Sequence, residues 1–247
     1  MISTESRDGI SIVRLDRSAD RNALVPEMAE RLVEHLQAAG SVGQPVVLTA
    51  TGATFCPGAD IHWLATRSDP ALGVAELVAV HHLAIVTLLE MPVPVIAAIN
   101  GLVADGGLGL TLASDYRIAA ERATFAASYF RLALTPDGGS SAFLERMIGP
   151  ARTLELLLTN RCLSAQEACD WGMVNKVVPD AELVDRAVAF AAGLEQVPAY
   201  ALLQTRRLVD MINIRNQLQL EAVATRTAAR GAAFRAALKA FVEAHPA

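Results

Sequence analysis

Short apolar runs alternate along this chain with glycines, prolines and small polar residues. Ile10, Ile12 and the run from Val13 to Leu15 predict an opening strand. Pro26 then starts a helix in which Met28, Leu32 and Leu36 recur at helical spacing. Residues 45–51 (PVVLTAT) form a nearly continuous apolar run, the pattern of a strand buried on both faces. A loop of small residues follows over 52–60, then a long helix over 73–89 that must end before Pro92 and Pro94. Residues 95–100 read as a second buried strand and 105–113 as a second, short helix. Strand, helix, strand, helix in this order predicts a parallel sheet with crossovers. After about Asp137 the pattern is helical, over 140–148, 151–158, 165–171, 181–194 and 199–211, and on to the C-terminus. A strand at 174–178 is the exception. The division expected is an α/β core over 1–190 and a helical region over 191–247. The last helices carry apolar faces (Leu218, Ala222, Phe234, Leu238, Phe241) that suit either another subunit or the chain's own core.

Composition narrows the function classes. A hydrophobic share of 53% against 19% charged supplies ample material for a dry core. The formal net charge of −5 argues against nonspecific nucleic-acid binding, which needs clustered Lys and Arg. Cys56, Cys162 and Cys169 are odd in number and lack CxxC spacing, so buried thiols in a reducing compartment are expected and a zinc site is not. Residues 1–8 are polar, and the apolar stretches over 74–89 and 93–112 are broken by Glu76, His81–His82, Asn100 and Asp105. No membrane span and a cytoplasmic location are the expectations.

Two loops share one design. Each runs from a buried strand through small residues towards a helix: Thr51-Gly52-Ala53-Thr54-Phe55-Cys56-Pro57-Gly58-Ala59-Asp60 and Asn100-Gly101-Leu102-Val103-Ala104-Asp105-Gly106-Gly107. Such loops at one sheet edge can aim backbone N–H groups at a single oxygen. Glycines also serve tight turns, and spacing alone does not choose between the two roles. Other motifs fail. Gly107-Leu108-Gly109 has no glycine three residues on, and Gly138-Gly139-Ser140-Ser141-Ala142 lacks the closing glycine of a nucleophile elbow. His62, His81 and His82 lack helical metal-pair spacing.

Asn22-Ala23-Leu24, the stretch from Phe55 through Gly58-Ala59-Asp60 to Ile61, and the stretch from Pro94 to Gly101 resemble signatures of the enoyl-CoA hydratase/isomerase (crotonase) superfamily. The resemblance continues through Gly106-Gly107-Leu108-Gly109, Thr135-Pro136-Asp137-Gly138-Gly139 and Leu163-Ser164-Ala165 to Trp171-Gly172-Met173-Val174. It implies a crotonase-like spiral ββα core with a C-terminal helical trimerisation region, and a homotrimer or hexamer. It implies an acyl-CoA thioester as substrate, with coenzyme A entering as part of it and no metal or redox cofactor. The N–H groups of Ala59 and Gly106 would form an oxyanion hole, each donor lowering the barrier by roughly 3–4 kcal/mol. Arg21 would lie near the coenzyme A phosphates, with Ala23 and the backbone of Ala59, Asp60, Ile61 and His62 along adenine and pantetheine. On physical grounds alone Arg21 is equally a solvated surface arginine.

The chain departs from the family at both hydratase glutamates, whose positions are Gly109 and Tyr129. Water addition needs a base and an acid, so isomerase-type proton transfer is expected instead. Asp137 matches the carboxylate of enoyl-CoA isomerases, and burial beside Leu134 and Phe143 would raise its pKa. It also precedes a helix that it could cap, a role worth roughly 1 kcal/mol. The 4-chlorobenzoyl-CoA dehalogenases are a second resemblance, implying dehalogenation or other acyl-CoA hydrolysis with an aspartate matching Asp137 as nucleophile and a histidine matching His82 assisting. In the isomerase reading Tyr129 and His82 shape the pocket. A third alternative is a relative that binds acyl-CoA or RNA without catalysis. Asp105 replaces the first glycine of the family triplet and is expected to cap the following helix, or to act as a second acid. Cys56 reads as packing.

Overall fold

The structure, a computed structural model, describes residues 1–209 and 211–245. Its N-terminus is a hairpin that the apolar pattern only half reveals. β1 (Ile2–Arg7) runs antiparallel to β2 (Ile10–Leu15) through Asp8 (φ 52°) and Gly9 (φ 77°). Two consecutive positive φ values make the tight turn that matches strand twist. β1 was not expected because its Ser3, Thr4, Glu5 and Ser6 are polar and it forms the sheet edge, where exposed polar residues are the rule.

Helix α1 (Pro26–Val42) opens with its proline at the first turn. β3 (Val46–Ala50) and β4 (Thr54–Cys56) follow, the second lying inside what reads as a loop. Then come α2 (Ile61–Ala65), α3 (Pro70–Leu89), β5 (Val95–Ile99), β6 (Leu102–Ala104) and α4 (Gly106–Leu112). α3 starts three residues before the expected helix because Asp69 caps the N–H groups of Ala71 and Leu72. β7 (Tyr116–Ala120) and β8 (Thr124–Ala126) make another strand pair. One sheet has the order β1-β2-β3-β5-β7 and is closed by β10 (Lys176–Val178). From β2 onward it is parallel. The second has the order β4-β6-β8, closed by an antiparallel β9 (Cys162–Ser164). The chain therefore alternates between sheets, β3 to β4, β5 to β6, β7 to β8, in the spiral that was expected.

The large sheet is buried on both faces. Val95, Ala97 and Ile99 of β5 face one apolar cluster, while Ile96 and Ala98 face another. The second cluster is covered by Leu183, Ala187, Val188 and Ala191 of a helix at Leu183–Ala192. Strands buried on both sides read as unbroken apolar runs, which is why β3 and β5 are visible in the sequence.

The helices expected over 140–148 and 151–158 form one span, α5 (Ser140–Thr159), bent where Gly149 (φ 77°) precedes Pro150. After α6 (Ala165–Asp170) and α7, the Leu183–Ala192 helix, the chain ends in α8 (Ala199–Val209), α9 (Met211–Ala229) and α10 (Ala232–Ala244). Asp210, in the helix expected over 199–211, lies outside the described residues. α9 packs on α3, and α10 packs on α2. The apolar faces left open by the sequence thus turn inward at Leu218, Phe234 and Leu238. α3 is long and apolar enough to cross a membrane by length and composition, with mean hydropathy 1.9. Here it lies between α1 and α9 with His81 and His82 buried on it.

Phe234 is fully buried among Leu64, Val74, Val78 and Leu134. Phe234→Ala is expected to lower the unfolding free energy by about 3–5 kcal/mol in urea titrations. A loss under about 1 kcal/mol would show that α10 is not part of this core.

Candidate active site

The two small-residue loops touch along their length. β4 and β6 are parallel neighbours, with Thr54 opposite Leu102 and Cys56 opposite Val103. Beyond them the backbones come so close that side chains are excluded. A Cβ on Gly107 would collide with the Cys56 carbonyl oxygen, and one on Gly58 would lie 2.9 Å from Asp105 Cβ and 3.3 Å from the Gly106 nitrogen. Ala59 forms a parallel bridge with Leu24 in which Leu24 N–H donates to Gly58 C=O and Asp60 N–H donates to Leu24 C=O. Strand geometry then turns the N–H of Ala59 itself the other way. Gly106 is the first residue of α4, where an N–H has no intrahelical acceptor. Among the described residues neither amide finds a partner. The touching loops thus carry two unpaired donors, at Ala59 and Gly106.

A polar bolt holds this arrangement from behind. Asn22 is fully buried; its Nδ2 donates to the carbonyls of Thr51 (2.9 Å) and Thr54 (2.8 Å), and its Oδ1 accepts from the Arg17 N–H. The Arg17 guanidinium donates to Asp60 Oδ2 (2.7 Å) and to Ala23 C=O (2.8 Å). Asp60 Oδ1 also caps α2 at the Trp63 N–H. The Asp60 backbone is occupied at both ends, its N–H donating to Leu24 C=O and its carbonyl accepting from Leu64 N–H. Arg21 (φ 57°) is exposed on the same turn, with Ala23 partly buried behind it. Ile61 and His62 are partly exposed at the start of α2, and the His62 ring meets Phe241 edge-on at 6.1 Å.

Asp137 sits in the loop before α5. Burial is the main cause that lifts its pKa to about 8, followed by the charges of Glu221 and Asp105, while a hydrogen bond from Tyr129 pulls it down. The capping alternative is not realised. Gly139 occupies the N-cap position, and the free amides of the turn go elsewhere: Gly139 N–H (2.7 Å), Ser141 N–H (3.2 Å) and Ser141 Oγ (2.5 Å) all donate to Glu221. The Ser140 hydroxyl donates to the Asp137 carbonyl (2.7 Å), and the buried Tyr129 hydroxyl lies 2.9 Å from Ser140 Oγ. Thr225, four residues beyond Glu221, bonds to Thr135 at 2.8 Å. Helix α9 therefore grips both ends of the Asp137 loop.

The histidines of α3 support the same loop. His82 Nε2 accepts the Gly138 N–H at 3.0 Å, and burial lowers its pKa to about 4. The ring is neutral with its Nε2 lone pair engaged, so it braces the loop and is not placed as a free base. His81 is pushed down to about 3, chiefly by burial and then by the His82 charge, while a hydrogen bond from its ring to the Gly106 carbonyl acts the other way, and the ring fills the space over Gly138. Gly109, where a hydratase carries a glutamate, is pressed on the Gly138 carbonyl; even a Cβ there would collide with that oxygen. The glutamate's absence and the position of the Asp137 loop are thus one structural fact.

Asp105 holds the N-cap position of α4 yet makes no cap; its Oδ1 accepts the Ser128 N–H at 2.5 Å instead. Its backbone (φ 47°, ψ −119°) lies where a non-glycine residue costs about 1–3 kcal/mol. Burial raises its pKa to about 7. Cys56 is buried and its thiol is pushed up to about 12 by burial, which fits packing.

Sequence reading missed Glu221. The available signal was its place in the stripe Ile214, Leu218, Glu221, Thr225, Ala229, which is buried at helical spacing. An acid on such a stripe has to find donors.

The sequence profile described as "Enoyl-CoA hydratase/isomerase" matches residues 5–247. The chain is 34% identical over 210 residues to 4-chlorobenzoyl coenzyme A dehalogenase-2 of an Arthrobacter species, covering 81% of this chain and 74% of that one. It is 32% identical over 242 residues to 1,2-epoxyphenylacetyl-CoA isomerase of Escherichia coli, covering 95% and 92%. The crystal structure of an enoyl-CoA hydratase from Bacillus halodurans shares the fold, with a TM-score of 0.88, 24% identity and coverage of 97% and 99%.

Because the Glu221 charge helps hold the Asp137 proton on, Glu221→Gln is expected to lower the Asp137 pKa below about 8. Carboxyl 13C NMR titration reads this directly, and an unmoved midpoint would show that the two groups are not coupled.

Proposed function

Since the chain belongs to the enoyl-CoA hydratase/isomerase family, we propose that it moves a double bond within an acyl-CoA thioester by carrying one proton on Asp137. The observation that supports this most directly is the Asp137 carboxyl itself. It is partly buried, raised to about 8, and sits where the loop closes over Gly109 and beside Tyr129. The two positions that would carry hydratase glutamates are thereby a bare backbone and a phenol. Asp137 is the acid that remains in a position matching the family, and one acid suffices for a 1,3-proton shift.

In this reaction the thioester oxygen accepts the N–H groups of Ala59 and Gly106. The Asp137 carboxylate removes an α-proton from a 3-enoyl thioester, and the electron pair passes to the carbonyl oxygen as a dienolate. The protonated Asp137 then delivers the same proton to the γ-carbon, leaving a conjugated 2-enoyl thioester and the carboxylate regenerated. The balance needs no metal and no redox cofactor. Tyr129 and Ser140 hold the loop by its carbonyl, and His82 holds it by the Gly138 N–H. Arg21 is assigned to the coenzyme A phosphates and the 59–62 segment to adenine and pantetheine. The dehalogenase-like alternative, with Asp137 as nucleophile, draws support from the Arthrobacter relative. It needs a second base for hydrolysis, and the engaged lone pair of His82 weighs against it.

We also assign the protein to a homotrimer or a dimer of trimers. Exposed Leu208 and Val209 on α8 and Leu220 and Val223 on α9 form apolar surface that a partner copy would cover. Sedimentation at micromolar concentration is expected to give three or six copies, and a monomer would contradict the assignment. Purified protein is expected to convert a 3-enoyl-CoA to its conjugated 2-enoyl isomer. Asp137→Asn should cost about 10²–10⁴-fold in kcat. Because the base must be ionised, kcat/KM should rise with pH and level off above about 8. Full turnover by the asparagine variant would rule Asp137 out, and turnover of halobenzoyl-CoA without isomerase activity would shift the reaction to dehalogenation.

A further inference from the structure

The peptide that joins Asp105 to Gly106 carries the Gly106 N–H, so the ψ angle of Asp105 decides where that donor points. At φ 47° and ψ −119° this is a glycine's conformation held by an aspartate. Something must hold it. The Asp105 N–H donates only a long bond to Ala126 C=O (3.3 Å), and the Asp105 carbonyl accepts from Leu108 N–H (2.8 Å), as any first helical turn would arrange. The short contact is the side chain's, from Asp105 Oδ1 to the Ser128 N–H at 2.5 Å. On the opposite side Asp105 Cβ rests against Gly58, the neighbour of Ala59. Asp105 is thus fixed between the loop that carries the other donor and the turn that carries Tyr129.

We propose that Asp105 is the positioning residue of the oxyanion hole: its carboxyl, anchored on the Ser128 N–H, locks the strained peptide that aims the Gly106 N–H at the thioester oxygen. The proposal rests on the thioester-binding reading above. It explains why a strained aspartate stands where the family triplet has a freely turning glycine. A side-chain anchor on the turn after β8 replaces backbone permissiveness by a defined orientation. The same anchor ties the Gly106 donor to the Ser128–Tyr129 turn, whose phenol supports Asp137.

The carbonyl stretch of bound 13C-labelled butyryl-CoA, a saturated thioester with no double bond to move, reads the donors without turnover. In wild-type protein the band is expected at lower wavenumber than in solution, because two N–H donors polarise the carbonyl. Glycine tolerates φ 47°, so Asp105→Gly should fold, with an equal or higher melting temperature by circular dichroism. Its loss of the anchor is expected to remove roughly half of the wavenumber shift while the dissociation constant changes less than about threefold. Asp105→Asn keeps an acceptor for the Ser128 N–H and should keep most of the shift. A full shift in Asp105→Gly overturns the proposal, as does an Asp105→Asn band displaced as far as that of Asp105→Gly. No shift in the wild type overturns the thioester-binding reading, and the proposal falls with it.

Discussion

Everything at this site depends on how closely two stretches of bare backbone approach one another. The 52–60 and 100–107 loops are in contact at Gly107 against Cys56 and at Gly58 against Asp105 and Gly106. A methyl group on either glycine would force them apart. Because the loops meet backbone to backbone, the sheets fix how close the two donors lie. That is the preorganisation that electrostatic stabilisation of a developing charge requires. The glycines are therefore spent on proximity, and the buried Asn22 and the Arg17–Asp60 pair hold the outer side of the first loop.

The acid is positioned by a different part of the chain. Asp137 has no rigid strand beneath it; its loop is suspended from α3 through His82 and from α9 through Glu221 and Thr225. The same Glu221 that satisfies the N–H groups at the start of α5 places a second carboxyl near Asp137, so one residue supplies both shape and electrostatics. Burial alone would raise the Asp137 pKa, and the neighbouring acids push it further in the same direction. The charges of Glu221 and Asp105 add to burial in raising Asp137 to about 8, while burial raises Asp105 to about 7.

The sequence showed the frame because the frame is apolar. β3 and β5 are buried on both faces, and their runs are unmistakable; Gly149-Pro150 marked the bend in α5. The strands that escaped are of three kinds. β4, β6, β8 and β9 are three residues long, too short for any period to emerge; β1 is a polar edge; and β7 is a five-residue run whose apolar pattern Arg117 interrupts. Asp137 was legible as an acid in the right loop, but its alternative as a helix cap could be dismissed only once Glu221 was seen to hold those amides. The role of Gly109 was hidden for a related reason. A missing glutamate can be read from a sequence, whereas the carbonyl of Gly138 that fills its place is a contact across 29 residues of chain.

Glu221 stands 82 residues downstream of Gly139, the amide it holds. Both sheets, both glycine loops and the Asp137 loop itself are encoded before residue 179, so a ribosome finishes the frame well ahead of the helix that holds that loop. The converse holds for damage: a protease cutting between α8 and α9 would leave the sheets standing while releasing the grip on Asp137. Such a nicked molecule would still look folded by its secondary structure, yet its acid would no longer be held in place.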